Sequence, residues 1–493
     1  MSRKKQKREE VGKMKVLFAI FEAEPFAKTG GLGDVGGALP AYLKKAGCQT
    51  RVIMPKYAGI PQIYKDKLRP VANFKVDVGW RRQYCGLEEL DHDGIRYYFI
   101  DNEYYFGREG LYGYYDDGER VAFFGRAVLE SLLMIKNFKP DVIHCNDWHT
   151  AVIPVLLREI CGSLPFYYGI KSVFTIHNLK YQGVYDEGVL ADLLGLYGHT
   201  APYEKMGFDG GVNFLKGALL YSDAVTTVSP SYAQEIQHAY YGERLDAVLR
   251  MRSGSLCGIL NGLDYDLYDP ETDRALFANY SSRDWTNKKE NKRRLREMLG
   301  LPPRGDEPLL TMVTRLTEQK GMDLFFYIAE ELLAEDLQIV VVGAGEWQYE
   351  QHLRWLASQY PNKFAACVTF DNDLAMKVYS AGDIILMPSK FEPCGVTQMI
   401  AMRYGNLPAV RETGGLKDTV RPFDEHAKTG NGFSFANYNA HELLFTVKNA
   451  LRVYRQAPLT WEKLRQNAAG ERFRWEDAAV RYLRLYEKIG ART

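Results

Sequence analysis

The stretch "KTGGLGDVGG", Lys28 to Gly37, lies between a short apolar run and an amphipathic segment. Read from Gly31, it contains the spacing G-x-G-x-x-G, with glycines at 31, 33 and 36, which occurs in dinucleotide-binding folds. Such a site needs its first glycine directly after the first strand and an acid near the end of the second strand. Here the apolar run ends near Ile20, and the second run ends "VIMPKY" without an acid. The stretch therefore argues against an NAD or FAD site.

The same glycines favour a loop that approaches phosphate or sugar. Glycine permits positive φ and leaves backbone N–H groups unobstructed. Residues 34–45, "DVGGALPAYLKK", are predicted to form a helix capped by Asp34, whose start would attract an anion, and Lys28 adds a positive charge. A glycine turn that serves packing alone remains an alternative. No P-loop pattern G-x-x-x-x-G-K-[ST] occurs in the sequence, which argues against a P-loop nucleotide hydrolase.

Working outward, short apolar runs alternate with helical segments along most of the chain. This alternation is typical of parallel sheets that are covered by helices on both faces. "GIRYYFID", Gly94–Asp101, is predicted to be an extra strand in an antiparallel excursion. The runs predicted to be strands are Met14–Ile20, Thr50–Pro55, Asp141–Asp147, Lys171–His177, Ala224–Ser229 and Leu256–Gly262, and later "LLTMVTRL", "LQIVVVGAG", "FAACVTFD", "DIILMPS" and "LPAVRE".

The alternation stops between about residues 264 and 308, which divides the chain into two domains. We predict a basic tail at 1–13, a first Rossmann-like domain at 14–263, a second at 264–472, and a terminal helix at 473–493 that returns to the first domain. The basic run Lys288–Arg296 is interrupted by acids and is predicted to be a solvated helix face rather than a nucleic-acid patch. Two doubly wound domains imply a cleft between them that binds ligands.

The composition excludes several classes of function. Lysine plus arginine number 63 and aspartate plus glutamate 62, so no global charge favours nucleic acid or a membrane surface. No apolar run approaches the roughly 20 residues that span a bilayer, and the charged start of the chain lacks the apolar centre of a secretory signal. Seven scattered cysteines without a C-x-x-C pair suit reduced thiols. We expect a cytoplasmic protein without a metal site.

Charged residues follow several predicted strands, where a ligand of such a fold is expected. Arg315 and Lys320 follow one strand, and two cations there can clamp a diphosphate. Glu392 follows another, just before a turn that opens a helix at about Val396. His177 directly follows a strand of the first half. Each has a structural alternative: surface cations, a charge at a helix start, and a histidine with a structural role.

Taken together and in this order, the motifs resemble the bacterial glycogen synthase and plant starch synthase family. The resemblance runs from about Met14 to the C-terminal helix and implies the two-domain GT-B fold. It also implies retaining transfer of glucose from ADP-glucose to the non-reducing end of an α-1,4-glucan, without a cofactor. The motifs are "KTGGLGDV", "NDWHT", "FTIHNLKYQG", "NGLDYDLYDP", "TRLTEQKG", "FEPCGVTQ" and "RETGGLKDTV".

The resemblance also implies roles for individual residues. The first domain would lie on the glucan acceptor side and the second on the nucleotide-sugar donor side. Phe370 stands where the family often has a tyrosine that stacks on adenine, which keeps a ring contact without a phenol hydroxyl. The implied catalytic residues are His177, Arg315, Lys320 and Glu392, and the implied substrate-binding residues are Lys28, Gly31, Asp34, Asn261, Phe370, Cys394, Gly395 and Thr397.

An acceptor surface is expected in the aromatic stretch "NEYYFGREGLYGYY", Asn102 to Tyr115, because rings can stack on the C–H faces of sugars. Tyr104 and Phe106 are the predicted contacts, with Asp147 nearby; packing of the loop on itself is the alternative. Three other functions stay open on the residues: a transferase that uses a UDP- or GDP-sugar, a silent glucan-binding protein, and an α-glucan phosphorylase. The last would need a lysine segment for pyridoxal phosphate, which we cannot locate.

Overall fold

The computed structural model describes residues 13–303 and 305–491. It divides into two compact units: unit 1 is the chain up to Gly262 together with the segment from Trp475 onward, and unit 2 is Leu263–Arg474. The prediction placed these boundaries after residue 263 and at residue 473. Residues 1–12 of the predicted basic tail lie outside the described residues.

Unit 1 is built around a sheet of nine strands in the described residues, in the order β12-β11-β7-β6-β1-β2-β5-β4-β3. From β12 to β5 all neighbours are parallel. The central strands are buried along their length, which is expected of a parallel sheet with two covered faces. The strands are β1 Lys15–Ala19, β2 Gln49–Pro55, β3 Arg69–Val78, β4 Arg81–His92, β5 Ile95–Asp101, β6 Val142–Asn146, β7 Lys171–Ile176, β11 Ala224–Thr227 and β12 Leu256–Gly258, and a separate small sheet holds β8 Val184–Asp186, β9 Gly207–Phe208 and β10 Gly211–Asn213.

Helices connect these strands. The predicted extra strand is β5. It pairs antiparallel with β4, as predicted, but it also pairs parallel with β2, so it joins the antiparallel strands to the parallel part of the same sheet. The α-helices of unit 1 are α1 Gly31–Lys45, α2 Gln62–Lys65, α3 Glu103–Phe106, α4 Asp117–Met134, α5 Val152–Glu159, α6 Val189–Asp192, α7 Thr200–Met206, α8 Phe214–Tyr221, α9 Pro230–Glu235, α10 Asp246–Met251 and, at the C-terminus, Trp475–Lys488.

The C-terminal helix Trp475–Lys488 packs against α1 and belongs to unit 1. Its Tyr486 is fully buried, and the phenol oxygen lies 2.7 Å from Nδ1 of His144 on β6. Nε2 of His144 lies 2.6 Å from the hydroxyl of Thr175, so a buried chain of hydrogen bonds links the helix to two strands. Burial lowers the pKa of His144 to about 3, which keeps this imidazole neutral.

Unit 2 contains a sheet of six parallel strands in its described residues, in the order β15-β14-β13-β16-β17-β18. Five of these were predicted; the sixth, β18, was missed because it is only three residues long. The strands are β13 Leu309–Val313, β14 Gln338–Val342, β15 Phe364–Cys367, β16 Ile384–Met387, β17 Leu407–Arg411 and β18 Phe433–Phe435; the helices are α11 Thr286–Met298, α12 Met322–Ala334, α13 Trp347–Gln359, α14 Asn372–Ala381, α15 Thr397–Arg403, α16 Gly414–Thr419, α17 Ala440–Gln456 and α18 Pro458–Gly470.

Helix α11, which carries the basic run, corrects one prediction. Only part of the run is a solvated face: Lys289, Arg293 and Arg294 are exposed. Its other cations, Lys288, Lys292 and Arg296, are buried, and the helix packs against α14. Lys292 pairs with Asp383 at 2.7 Å. Lys288 donates to two backbone carbonyls, those of Ser380 and Tyr404, at 2.9 and 3.1 Å. Burial lowers the pKa of Lys288 well below its ordinary value. The buried half of the run is therefore structural, which the charge pattern alone did not reveal.

Candidate active site

The glycine-rich loop of unit 1 begins its helix earlier than predicted. Helix α1 starts at Gly31, with Gly30 as a cap that lacks a side-chain hydrogen bond, so Asp34 is not the N-cap. Asp34 lies in the first turn instead, and its carboxylate is 2.6 Å from Nζ of Lys28. Lys28 also pairs with Glu24 at 2.9 Å. Although burial opposes its charged form, these two carboxylates raise the pKa of Lys28, which stays positively charged.

The glycines of this loop have different physical roles. A Cβ on Gly36 would lie 2.2 Å from the backbone oxygen of Glu22, so this glycine is required for close packing. A Cβ on Gly30 or Gly31 would meet no atom within 4 Å. The backbone of Gly31 therefore borders open space, where a ligand could approach it.

Glu22 and Tyr112 close over this loop, and the sequence analysis missed both. Glu22 is buried and accepts hydrogen bonds from the backbone N–H and the hydroxyl of Thr29, at 2.6 and 2.9 Å. The Tyr112 hydroxyl contacts both Glu22 and Thr29. Its ring stacks on His149, with ring centroids 4.8 Å apart. Glu22 could have been predicted from the sequence, because it is an acidic residue in "FEAEPF", directly after the first strand.

His177 lies just beyond the end of β7, beside Asn146 at the end of β6. Asn146 donates its amide to the carbonyls of Ala19 and His144, each at 3.2 Å, so its Oδ1 must accept. Nε2 of His177, 3.0 Å from that oxygen, therefore carries the proton, and Nδ1 keeps its lone pair. Burial lowers the pKa of His177 to about 3. The imidazole is neutral at physiological pH and is positioned by the strand next to its own.

Asp147 follows β6 in an unusual backbone conformation, with φ of +62°, and it is 6% exposed. Burial raises the pKa of its carboxyl to about 7, even though hydrogen bonds from the backbone N–H groups of Trp148, Asn178 and His177 favour the charged form. Its Oδ1 has no hydrogen-bond partner among the described residues. An orphaned acceptor on a strained residue is typical of a functional position.

The two predicted aromatic acceptor residues are in different environments. Tyr104 is 60% exposed and free to stack on a sugar. Phe106 is fully buried and packs edge-on against Phe21 and Tyr57, so its predicted contact with glucan is wrong. The sequence did not distinguish them because the short helix α3 turns one ring outward and the other into the core.

Asn261, after β12, is buried, and its Oδ1 has no partner within the described residues.

In unit 2, the predicted cation and acid lie together at the carboxyl ends of β13 and β16. Nζ of Lys320 is 2.6 Å from Oε2 of Glu392, and the hydroxyl of Ser389 donates to the same oxygen at 3.0 Å. Glu392 is 5% exposed. Its Oε1 has no hydrogen-bond partner in the described parts of the chain, so it can accept from a ligand. Ser389 was not predicted from the sequence.

The turn after Glu392 packs tightly against the start of α16. A Cβ on Gly415 would lie 1.8 Å from the carbonyl oxygen of Cys394, and one on Gly414 would lie 2.0 Å from that of Glu392. Gly395 has φ of +72°, which favours glycine. Thr397 is the first residue of α15, and Cys394 is buried. The turn therefore presents a fixed backbone at the start of a helix.

The remaining predicted residues of unit 2 are exposed at the same edge of the sheet. Arg315 follows β13, and its side chain is exposed. Phe370 follows β15 and is 75% exposed, which leaves its ring free to stack on a flat ligand. Across residues 13–303 and 305–491, no group of three or more His, Cys, Asp or Glu side chains could hold a metal ion. The site thus offers cations, a carboxylate, backbone N–H groups and a ring.

Comparison with known proteins identifies the family of the chain. Residues 15–251 match the family described as "Starch synthase catalytic domain", and residues 295–468 match "Glycosyl transferases group 1". A glycogen synthase of Geobacillus thermodenitrificans is 53% identical over 97% of this chain and 98% of its own length, and one of Clostridium acetobutylicum is 51% identical over 97% and 100%. The chain belongs to the glycogen and starch synthase family. This confirms the resemblance given by the motifs.

Solved structures agree with this family and with its GT-B fold. The catalytic domain of starch synthase IV from Arabidopsis thaliana, bound to ADP and acarbose, has a TM-score of 0.89 and 32% identity, and the match covers 98% of this chain and 100% of that one. Sucrose-phosphate synthase from Thermosynechococcus elongatus, at 18% identity and a TM-score of 0.60, shares the fold. The predicted class of two Rossmann-like α/β domains is confirmed. Among the described residues, no helix is long and apolar enough to cross a membrane.

Proposed function

We propose that this protein is a glycogen synthase that transfers glucose from ADP-glucose to the non-reducing end of an α-1,4-glucan, with retention of configuration, in the cytoplasm. The observation that carries the proposal is the pair Lys320–Glu392 at the carboxyl edge of the unit 2 sheet, in a chain that is 53% identical to a glycogen synthase. The starch synthase of similar fold was solved with ADP and acarbose, which supports a nucleotide-sugar donor and a glucan acceptor.

The residues of unit 2 suit the donor. Arg315 and Lys320 would bind the diphosphate and stabilise its charge as it leaves. The free Oε1 of Glu392 would accept a hydrogen bond from a hydroxyl of the transferred glucose, while the backbone of Cys394 and Gly395 and the side chain of Thr397 would face the same ligand. Phe370 would stack on the base. A ring contact of this kind does not by itself distinguish adenine from uracil.

The residues of unit 1 would complete the reaction. Lys28, with Gly31 and Asp34, would contact the donor, and Asn261 would use its unpaired oxygen on a substrate hydroxyl. Neutral His177 can accept one hydrogen bond from a sugar hydroxyl at Nδ1, because its only N–H, on Nε2, is donated to Asn146. Asp147 and Tyr104 would face the acceptor. Because the described site contains no carboxylate that is evidently placed as a nucleophile, we propose a reaction on one face, in which the leaving diphosphate takes the acceptor's proton.

The direct test is an assay with glycogen and either ADP-glucose or UDP-glucose, in which the released nucleotide is measured. We expect release with ADP-glucose and α-1,4 linkages in the product. Release with UDP-glucose alone would assign a different donor. Binding of glycogen without any release would identify a silent glucan-binding protein. Phosphorolysis of glycogen with visible cofactor absorbance would identify a phosphorylase.

A further inference from the structure

Gln398 packs against the turn that follows Glu392 and has no role in the site described above. It is the second residue of α15, and its side chain is fully buried. Its Nε2 donates to the carbonyl oxygens of Cys394 and Gly395, at 3.2 and 2.9 Å. It also donates to the hydroxyl of Thr419 on α16, at 3.1 Å. Because the amide nitrogen carries two hydrogens, one of them is shared between acceptors.

These acceptors fix the orientation of the Gln398 amide. Exchange of its oxygen and nitrogen would place Oε1 against two carbonyl oxygens, which cannot donate. The hydroxyl of Thr419 donates to the carbonyl of Gly415 at 2.6 Å and therefore accepts from Gln398. A chain of hydrogen bonds thus runs from the backbone of α16 through two side chains to the turn.

The two carbonyls held by Gln398 determine where N–H groups of the turn point. A peptide unit is planar and trans, so its C=O and its N–H point in opposite directions. The carbonyl of Cys394 shares its peptide unit with the N–H of Gly395, and the carbonyl of Gly395 shares its unit with the N–H of Val396. By holding both oxygens on the buried side, the amide directs both N–H groups to the opposite side.

These two N–H groups are available to a ligand. Within the described residues, neither the N–H of Gly395 nor that of Val396 donates to a protein acceptor. Gly395 has φ of +72°, and Val396 follows in the right-handed region, with φ of −114° and ψ of −30°. Successive N–H groups of adjacent residues with opposite handedness converge on an anion.

We propose that Gln398 is a positioning residue for transfer, whose amide directs the N–H groups of Gly395 and Val396 towards the diphosphate of the donor. This inference rests on the proposed function for the identity of the donor. Gln398 does not touch the donor and acts only through the two peptide units. Negative charge develops on the diphosphate as the bond to glucose breaks, so N–H groups that are already directed at it stabilise the transition state more than the bound donor.

A second buried glutamine of unit 2 provides a matched control. Gln338, the first residue of β14, is also fully buried, and its Nε2 donates to the carbonyls of Pro302 and Asn362 at 3.0 and 3.1 Å. In both glutamines Oε1 has no partner among the described residues. Gln338 lies at the amino end of its strand, whereas the site lies at the carboxyl ends of the parallel strands. Its replacement therefore measures the structural effect alone.

The test compares Gln398→Leu and Gln398→Glu with Gln338→Leu and Gln338→Glu in the full chain. Steady-state kinetics with ADP-glucose and glycogen, calorimetric binding of ADP and thermal unfolding are measured for each variant. For Gln398→Leu we expect kcat to fall roughly 10- to 100-fold, with a several-fold weaker affinity for ADP and an unchanged KM for glycogen. The Gln338 variants should lose comparable thermal stability and keep the wild-type kcat and affinity for ADP.

The pH dependence of Gln398→Glu gives a readout that a loss of packing would not produce. An ionised carboxylate repels both carbonyls, whereas a protonated carboxyl donates one hydrogen bond in place of the amide. Burial raises the pKa of such a carboxyl above its ordinary value of about 4.3, so kcat relative to the wild type should rise as pH is lowered from about 8 to about 6. The ratio for Gln398→Leu should stay flat. The other titratable groups of the turn and of α16 cancel in these ratios; they are Glu392, Cys394, Lys417 and Asp418.

Three outcomes overturn the inference. The first is a wild-type kcat and affinity for ADP in Gln398→Leu, the second is an equal loss of kcat in Gln338→Leu, and the third is a ratio for Gln398→Glu that does not change with pH. If Gln398→Leu does not fold, Thr419→Val removes the hydroxyl that holds the amide and should lower kcat several-fold; an unchanged kcat would overturn the inference. If the wild type transfers no glucose, the proposed function fails, and the affinities of the Gln398 and Gln338 variants for ADP still test the role of Gln398.

Discussion

The ammonium of Lys320 lies 2.6 Å from Oε2 of Glu392, and both side chains are largely buried. The pair arises from two sequence motifs about 70 residues apart, which parallel strands β13 and β16 bring to one edge of the sheet. One carboxylate oxygen is thus occupied by protein donors, while the other remains available. Because both protein donors bind Oε2, the carboxylate is held in one orientation with Oε1 open to a ligand.

Replacement of Lys320 by alanine should remove most of the turnover. The change deletes a cation proposed for the diphosphate and, among the described residues, leaves Ser389 as the one side chain that donates to Glu392. Loss of one buried charge partner costs roughly 2–5 kcal/mol. At about 1.4 kcal/mol per tenfold, the turnover with ADP-glucose should fall roughly 30- to 4,000-fold. Near-wild-type steady-state kinetics would remove Lys320 from the site.

Ser389→Ala, which removes the other donor to Glu392, should lower kcat less than Lys320→Ala does. We expect the hydroxyl to position Glu392 rather than to bind substrate, so its loss leaves Oε2 with Lys320 alone. A hydrogen bond to a charged group contributes about 1.5–3 kcal/mol, so we expect kcat to fall roughly 10- to 100-fold, with a smaller change in the KM for ADP-glucose. Ser163→Ala, at an exposed position, is the control. A rise in KM alone would show that Ser389 binds substrate rather than positions Glu392.

The sequence predicted the strands and most of the site because both depend on local patterns. Apolar runs that are followed within a few residues by Arg315, Glu392 or His177 predict the carboxyl ends of parallel strands. The failures concern side-chain direction and partners that are distant in the chain. Phe106 and Tyr104 look alike in sequence, and the burial of Lys288 follows from carbonyls more than 90 residues away. Glu22 and Tyr112 meet only in the fold.

Two glycines of the opening loop should respond differently to alanine. Gly36→Ala places a methyl group 2.2 Å from the backbone oxygen of Glu22, so the chain must shift and the variant should unfold at a lower temperature. Gly31→Ala meets no protein atom within 4 Å and should leave the melting temperature unchanged or slightly raised. If the donor approaches this backbone, the KM for ADP-glucose should nevertheless rise several-fold in Gly31→Ala. A KM equal to that of the wild type would place the donor elsewhere.

Tyr486→Phe should loosen the C-terminal helix. The change deletes the phenol that lies 2.7 Å from Nδ1 of His144 and leaves a buried ring nitrogen without its partner. An unsatisfied buried polar group costs about 1–3 kcal/mol, which chemical unfolding should detect. Tyr115→Phe, which alters a 96% exposed phenol, is the matched control and should have no effect. Equal stability of the two variants would show that the buried hydrogen bond contributes nothing.

Asp147→Asn should change how stability depends on pH. Burial raises the pKa of this carboxyl from 3.8 to about 7 in the folded protein. Between these values the folded state holds a proton that the unfolded state has released, so the free energy of unfolding of the wild type falls as pH rises. Asparagine has no such proton. The stability of Asp147→Asn relative to the wild type should therefore increase from about pH 4 to about pH 7, by at most about 1.4 kcal/mol per pH unit, and then level off.

Chemical unfolding across this range measures the difference, with Asp77→Asn as a control because its carboxylate is mostly exposed. The three buried histidines 144, 149 and 177 have pKa values lowered to about 3, so they destabilise both proteins equally as pH falls below about 6.5 and cancel in the comparison. A difference that stays flat across the window, or that declines towards pH 7, would mean that Asp147 is ionised in the folded protein. In that case its unpaired oxygen would act on the acceptor as a charged rather than a neutral group.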